Sequence, residues 1–111
     1  MDNRQFELQF EDLVSKMRRT LLKKGNDYAK SDDRLDNFKN AGAICGIRPE
    51  VTCLNLIAIK VNRMANLINS GTKPENESVQ DTALDLACYS VLLNAIINEA
   101  TPIGLPHTAA Q

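Results

Sequence analysis

A chain of 111 residues that is 43% hydrophobic and 24% charged has the balance of a single globular domain, which excludes a disordered chain. A formal net charge of −1 gives no basic excess, so neither non-specific duplex binding nor a specific nucleic-acid partner is expected. Three cysteines without paired spacing and a lone His107 offer neither a disulfide framework nor a zinc site, and reduced, packed thiols are expected.

The opening Met1-Asp2-Asn3-Arg4-Gln5 lacks the basic-then-apolar pattern of an export signal. The uncharged stretches fall short of the roughly 20 residues that span a bilayer, so a cytoplasmic location and no membrane partner are expected. The first helix is predicted from about Asn3 to Lys24. Phe6, Phe10, Leu13, Val14, Met17 and Leu21 recur there at spacings of three and four. Asp2 or Asn3 can cap its start, the cations Arg18, Arg19, Lys23 and Lys24 suit its last turns, and Gly25 suits its stop. A polar loop, Gly25 to Arg34, has turn chemistry and no apolar period. A short helix over about Asp33 to Cys45 follows, with Leu35 and Phe38 on its inner face and Gly46 closing it.

Pro49 is suited to the first position of a third helix, running to about Ser70 before Gly71. A fourth begins near Ser78, where Ser78 and Asp81 have capping-box spacing, and runs to about Glu99. The fold class expected is all-α: a compact helical bundle of three long helices plus one short helix. Residues 1–100 form its single domain, and 101–111, with Pro102, Gly104 and Pro106, form a flexible tail.

The third and fourth helices carry more apolar surface than one small domain can cover. On the third, Leu54, Ile57, Ala58, Val61, Ala65 and Ile68 make one broad face, while Leu56, Ile59 and Leu67 point away from it. On the fourth, Leu86 to Ile97 contains no charge. Helices apolar on two sides are buried on two sides, so a homodimer or higher homo-oligomer is expected.

Three clusters carry chemistry. Glu77, Asp81 and Asp85, four apart, share one face of the fourth helix. A first helical turn favours acidic residues, which accounts for Glu77 and Asp81 without function but accounts less well for Asp85. Such carboxylates can bind Mg²⁺ or contact the hydroxyls and amines of a ligand. Lys60 and Arg63 lie one turn apart on the third helix, beside an asparagine stripe of Asn55, Asn62, Asn66 and Asn69. They can hold phosphate, Arg63 through its planar fork, or serve as counter-ions to the acidic stripe. In the loop and short helix, Tyr28 can stack on a base and Asn37 can bond to its edge; a solvated loop is the alternative.

Four ordered motifs then resemble a known family. They are Lys24-Gly-Asn-Asp27-Tyr28-Ala, Asp33-Arg-Leu-Asp36-Asn37-Phe38-Lys39, Lys60-x-x-Arg63, and Glu77-Ser78-x-x-Asp81-Thr82-x-x-Asp85-x-x-x-Tyr89. Together they resemble the nucleotide-modification-associated domain family, small helical proteins common in phages, over roughly residues 20 to 97. The resemblance implies a role in phage nucleotide metabolism without a fixed reaction. The layout is also distantly similar to the all-α, MazG-like nucleotide pyrophosphohydrolases, which hold Mg²⁺ between ExxE and ExxD pairs on successive helices. Here the acidic spacing is four, and Lys60 and Arg63 stand where an acidic pair would be expected. That substitution favours direct contact between cations and phosphate over a two-metal centre.

The expected function is therefore retention of a phosphorylated nucleotide without hydrolysis and without a cofactor, as in phage proteins that sequester a cyclic or modified nucleotide signal of host defence. Arg63, Lys60, Lys39 and Arg34 would hold phosphates, Tyr28 and Phe38 would pack on the base, and Asn37, Asp81 and Asp85 would read polar edges. The alternative is a Mg²⁺-dependent nucleoside triphosphate pyrophosphohydrolase using Glu77, Asp81 and Asp85, with Asp27 or Asp36 completing the site. A helical protein-interaction module is the third reading.

Overall fold

The computed structural model describes residues 1–24, 32–70 and 76–100, and among these every regular element is helical. Helix α1 spans Asn3–Arg18 and continues as a π-helical segment, Arg19–Lys24; α2 spans Asp36–Cys45, α3 Pro49–Asn69 and α4 Asn76–Ala100. The expected loop residues 25–31 and the tail 101–111 lie outside the described residues.

Local chemistry explains the boundaries. Asp2 caps α1 in a reciprocal box: its Oδ1 accepts from the Gln5 N–H at 2.8 Å, and the Gln5 Oε1 accepts from the Asp2 N–H at 2.8 Å. The first helix does not stay α-helical to Lys24 as its spacing predicts. Its last six residues widen into π geometry, a form that appears in short pieces and turns the side chains that follow off the α-helical register. Helix α2 starts three residues later than expected, because Asp33 uses its carboxylate to accept the Leu35 N–H at 2.9 Å in the turn before the helix. It stops at Gly46, whose φ of 69° lies in the left-handed region. There Ile47 N–H reaches the Gly42 carbonyl at 2.9 Å and Gly46 N–H the Ala43 carbonyl at 3.3 Å, the paired bonds of a Schellman stop. Pro49 occupies the first turn of α3 as expected. Helix α4 begins at Asn76, which places Ser78 inside its first turn and not at the cap.

Helices α3 and α4 form the main pair, α2 packs against α3, and α1 lies against α4. The core is small: Leu35, Phe38, Cys53 and Ile96 are buried together, and Leu56, Ile57, Tyr89, Leu92 and Leu93 pack partly against them. Around it the bundle is open. No residue of α1 is buried, and Phe6, Leu8 and Phe10 are each more than half exposed.

The orientation of α3 separates the two apolar sides read from its sequence. Cys53, Leu56, Ile57, Lys60, Met64 and Leu67 turn inward, while Leu54, Ala58, Val61, Ala65 and Ile68 of the broad face are exposed. Ile59 alone of the expected outlying residues stays exposed. Helix α3 is also long and apolar enough, by length and composition, to cross a membrane.

Two interactions hold α2 in place. Gly42 packs so closely on the turn into α3 that a Cβ there would lie 2.6 Å from the Ile47 carbonyl oxygen and 3.1 Å from the Thr52 Oγ1. Gly42→Ala should therefore destabilise by about 1–3 kcal/mol, read as a lower urea midpoint, although alanine is the better helix former. Lys39 donates to Asp33 Oδ2 and to Glu99 Oε1, both at 2.5 Å, and so ties α2 to the end of α4.

The hydrogen bonds from Lys39 and from the Leu35 N–H hold the Asp33 carboxyl below its ordinary value, and those to Asp33 and Glu99 hold the Lys39 ammonium above its own. The folded state thus binds the Asp33 proton less readily than the unfolded chain does. This contribution is complete above about pH 4 and lost as pH falls through the lowered folded value. The Lys39 contribution is complete below about pH 10 and lost as pH rises through its raised value. Lys39→Met should flatten both losses in a melting-temperature profile across pH.

Candidate functional site

The helix α4 face that carries Asp81 and Asp85 extends by further turns to Tyr89 and Leu92. All four line a cavity of about 790 Å³ between α4, α2, α3 and the π-helical segment. Helix α2 and the turn before it contribute Arg34, Asn37, Phe38 and Ala41; α3 contributes Leu56; the π segment contributes Thr20 and Leu21. Leu84 and Cys88 complete the α4 wall. The size matches an ordinary small-molecule site, which is mostly apolar with a few convergent polar groups.

The polar groups are of three kinds. Arg34 is the cation among the lining residues, steadied by donation from its Nη2 to the Leu21 carbonyl at 3.4 Å. Asn37 is exposed, and Thr20 is half-buried. Asp81 and Asp85 supply carboxylate oxygens one helical turn apart. Asp85 Oδ2 accepts from Lys60 Nζ at 2.9 Å, with the lysine side chain 26% exposed and the carboxylate 43% exposed. Asp81 also lines a second cavity of about 690 Å³, between α4 and the Phe6, Phe10 and Leu13 side of α1. Burial pushes up the thiol of Cys88, with the neighbouring Asp85 charge adding to it, and burial alone pushes up Cys53. Both are therefore kept as neutral thiols.

Of the residues singled out in the sequence, Arg34, Asn37, Phe38, Asp81 and Asp85 meet at one cavity. Lys60 stands behind it, paired with Asp85, which is the counter-ion role left open for it above. Lys39 is committed to Asp33 and Glu99 and does not line the cavity. Arg63, expected as the phosphate fork, is exposed on α3 and does not line it either. Asp36 accepts from the Asn40 side chain at 3.0 Å and likewise lies outside the wall. Tyr28 and Asp27 lie outside the described residues, as does the side chain of Glu77. Among the described residues no three His, Cys, Asp or Glu side chains cluster as a metal site.

Sequence reasoning passed over Tyr89 as a site residue, although it continues the Asp81–Asp85 spacing by one more turn. It also missed Thr20 and Leu21, which no motif marks and which the π geometry brings to the wall. In comparisons with known proteins, no family model, curated protein or solved structure matches this chain.

The Lys60–Asp85 pair is half-buried, so its net value is modest. A double-mutant cycle of Lys60→Met and Asp85→Asn should give a coupling of about 0.5–1 kcal/mol in chemical denaturation.

Proposed function

We propose that this protein binds a phosphorylated nucleotide in the α2–α4 cavity without hydrolysing it, and that it works as a homo-oligomer. The observation that carries the reading is the convergence of one guanidinium, one amide and two carboxylates against Phe38 and Tyr89 in a single cavity. Aromatic rings favour a flat base, carboxylates accept from base amines and ribose hydroxyls, and Arg34 meets a phosphate with paired donors.

Charge limits the ligand further. A triphosphate brought beside Asp81 and Asp85 meets repulsion that one arginine offsets poorly, so a ligand with one phosphate charge per nucleotide, linear or cyclic, fits better. A metal would relieve that repulsion, and the pyrophosphohydrolase reading relies on it. Yet Asp85 already has Lys60 as its counter-ion, which weakens it as a metal ligand. The binder reading draws further support from the motifs that resemble phage nucleotide-associated proteins, and sequestration of a nucleotide signal is the role it fits. Assembly is supported by the exposed apolar residues of α1 and α3, more than a lone small domain leaves uncovered.

The test is to incubate the protein with linear and cyclic nucleotides and Mg²⁺, remove free ligand, heat-denature the protein and analyse what is released. Intact nucleotide is the expected result; a cleaved product would establish the hydrolase, and no retained ligand would leave the helical interaction module. Arg34→Ala should weaken retention roughly 10- to 100-fold, as expected for a charge-assisted phosphate contact, while Arg63→Ala should change it less than about twofold. Asp81→Asn should leave affinity within about tenfold.

A further inference from the structure

We propose that the exposed face of α3 is a homodimer seam, in which the helix pairs antiparallel with the same helix of a second copy. This rests on the assembly part of the proposed function and is independent of the nucleotide cavity. Leu56, which lines that cavity, lies on the opposite side of α3 from the seam.

The seam is Val51, Leu54, Ala58, Val61, Ala65 and Ile68. Their spacing of three and four alternates without a break along the whole helix, the 3.5-residue period that keeps a stripe facing a partner helix. Leu54, Val61 and Ile68 are 52%, 51% and 60% exposed, and both alanines are exposed. Four exposed asparagines, Asn55, Asn62, Asn66 and Asn69, run along one flank. No charge enters the stripe: Lys60 is turned inward to Asp85, and Arg63 lies half a turn around the helix.

Three features name a second copy as the occupant. First, bulky and small residues alternate over the centre of the stripe. Antiparallel pairing sets Leu54 against the partner's Ala65 and Ala58 against the partner's Val61, and the two-fold repeats both layers. Val51 then meets the partner's Ile68. Each of the four central layers holds one large and one small side chain, so the helices keep one separation across them. Parallel pairing would instead stack alanine on alanine and leucine on leucine, leaving gaps between crowded layers. Second, an amide both donates and accepts, so an asparagine flank is complementary to its own copy where a flank of one charge would repel it. Third, that same flank argues against lipid as the occupant, because hydrocarbon would leave the amides unsatisfied.

The test uses the full chain carrying Cys45→Ser, since Cys45 is exposed and would cross-link on its own account. Light scattering at about 50 µM should give twice the chain mass of 12.3 kDa, or a higher even multiple. Val61→Arg should lower that mass at least twofold with helical circular dichroism retained, because Val61 lies outside the core. Independently of folding, the double variant Leu54→Cys/Ala65→Cys should form disulfide-linked dimers on mild oxidation. Neither single cysteine should do so, because antiparallel copies of one position lie about 16 Å apart along the helix, beyond disulfide reach. A monomeric wild type would overturn both the seam and the assembly reading. A wild-type oligomer indifferent to Val61→Arg would overturn the seam alone. Efficient cross-linking by Leu54→Cys alone would overturn the antiparallel register, and flotation of the wild type as a monomer with phosphatidylcholine vesicles would assign the face to a bilayer.

Discussion

Cys53 sets the distance between the two long helices on which the remaining structure depends. Its side chain is wholly buried, and its thiol donates to the Tyr89 carbonyl at 3.5 Å. A cysteine packs like a small apolar residue, so α3 and α4 approach more closely here than a leucine would allow. The approach has consequences on both sides. Lys60, two turns further along α3, is brought to Asp85, one turn before Tyr89 on the antiparallel α4. Phe38 and Leu35 from α2 close over the same pair of helices beside Ile96. Widening the contact would uncouple the ion pair and unseat α2 together, since both depend on one interhelical separation.

The cavity follows from what α2 does not reach. Helix α2 has ten residues and covers only part of the α4 face, so the turns carrying Asp81 and Asp85 are left beside the π segment and not under packed side chains. Polar residues are tolerated there because the site is open to water. On the proposed nucleotide reading, two carboxylates in one cavity with a single guanidinium limit the charge of the ligand, and the α3 cations do not relax that limit. Lys60 is paired with Asp85, and Arg63 does not line the cavity.

Much of the fold was legible because helix ends are local chemistry. Asp2, Gly46 and Pro49 stop or start helices through bonds within a few residues of themselves, and the spacing of apolar residues gave the lengths of α3 and α4 closely. The π-helical end of α1 was not legible, because the same residues satisfy an α-helical pattern and only their surroundings widen the turn. Asp81 and Asp85 of the acidic stripe fall on one wall of the cavity, and Asn37 with Phe38 on another. Lys39 and Arg63 do not line it, for a common reason. Sequence shows that a cation is present, but its target depends on which carboxylate or cavity the tertiary arrangement places within reach. For Lys39 that target is Asp33 and Glu99, the latter 60 residues away.

The orientation of α3 shows which physical term decides between two apolar faces. The inward face, with Leu56, Ile57, Met64 and Leu67, and the broad face, Leu54 to Ile68, are both apolar enough to enter the core. Turning the broad face inward would carry the flanking amides of Asn55, Asn62 and Asn69 toward the interior, where each would need partners that α2 and α4 do not supply along their apolar walls. The observed orientation leaves those amides in water and turns in the face whose one charge, Lys60, finds Asp85 waiting on α4. Between two apolar faces of similar size, satisfying polar groups thus decides. The surface left outside is then uncharged, regularly spaced and flanked by amides. A helix that resolves the conflict in this way keeps its best-patterned face free for contact outside its own domain, which is why the core stays small although the chain is rich in apolar residues.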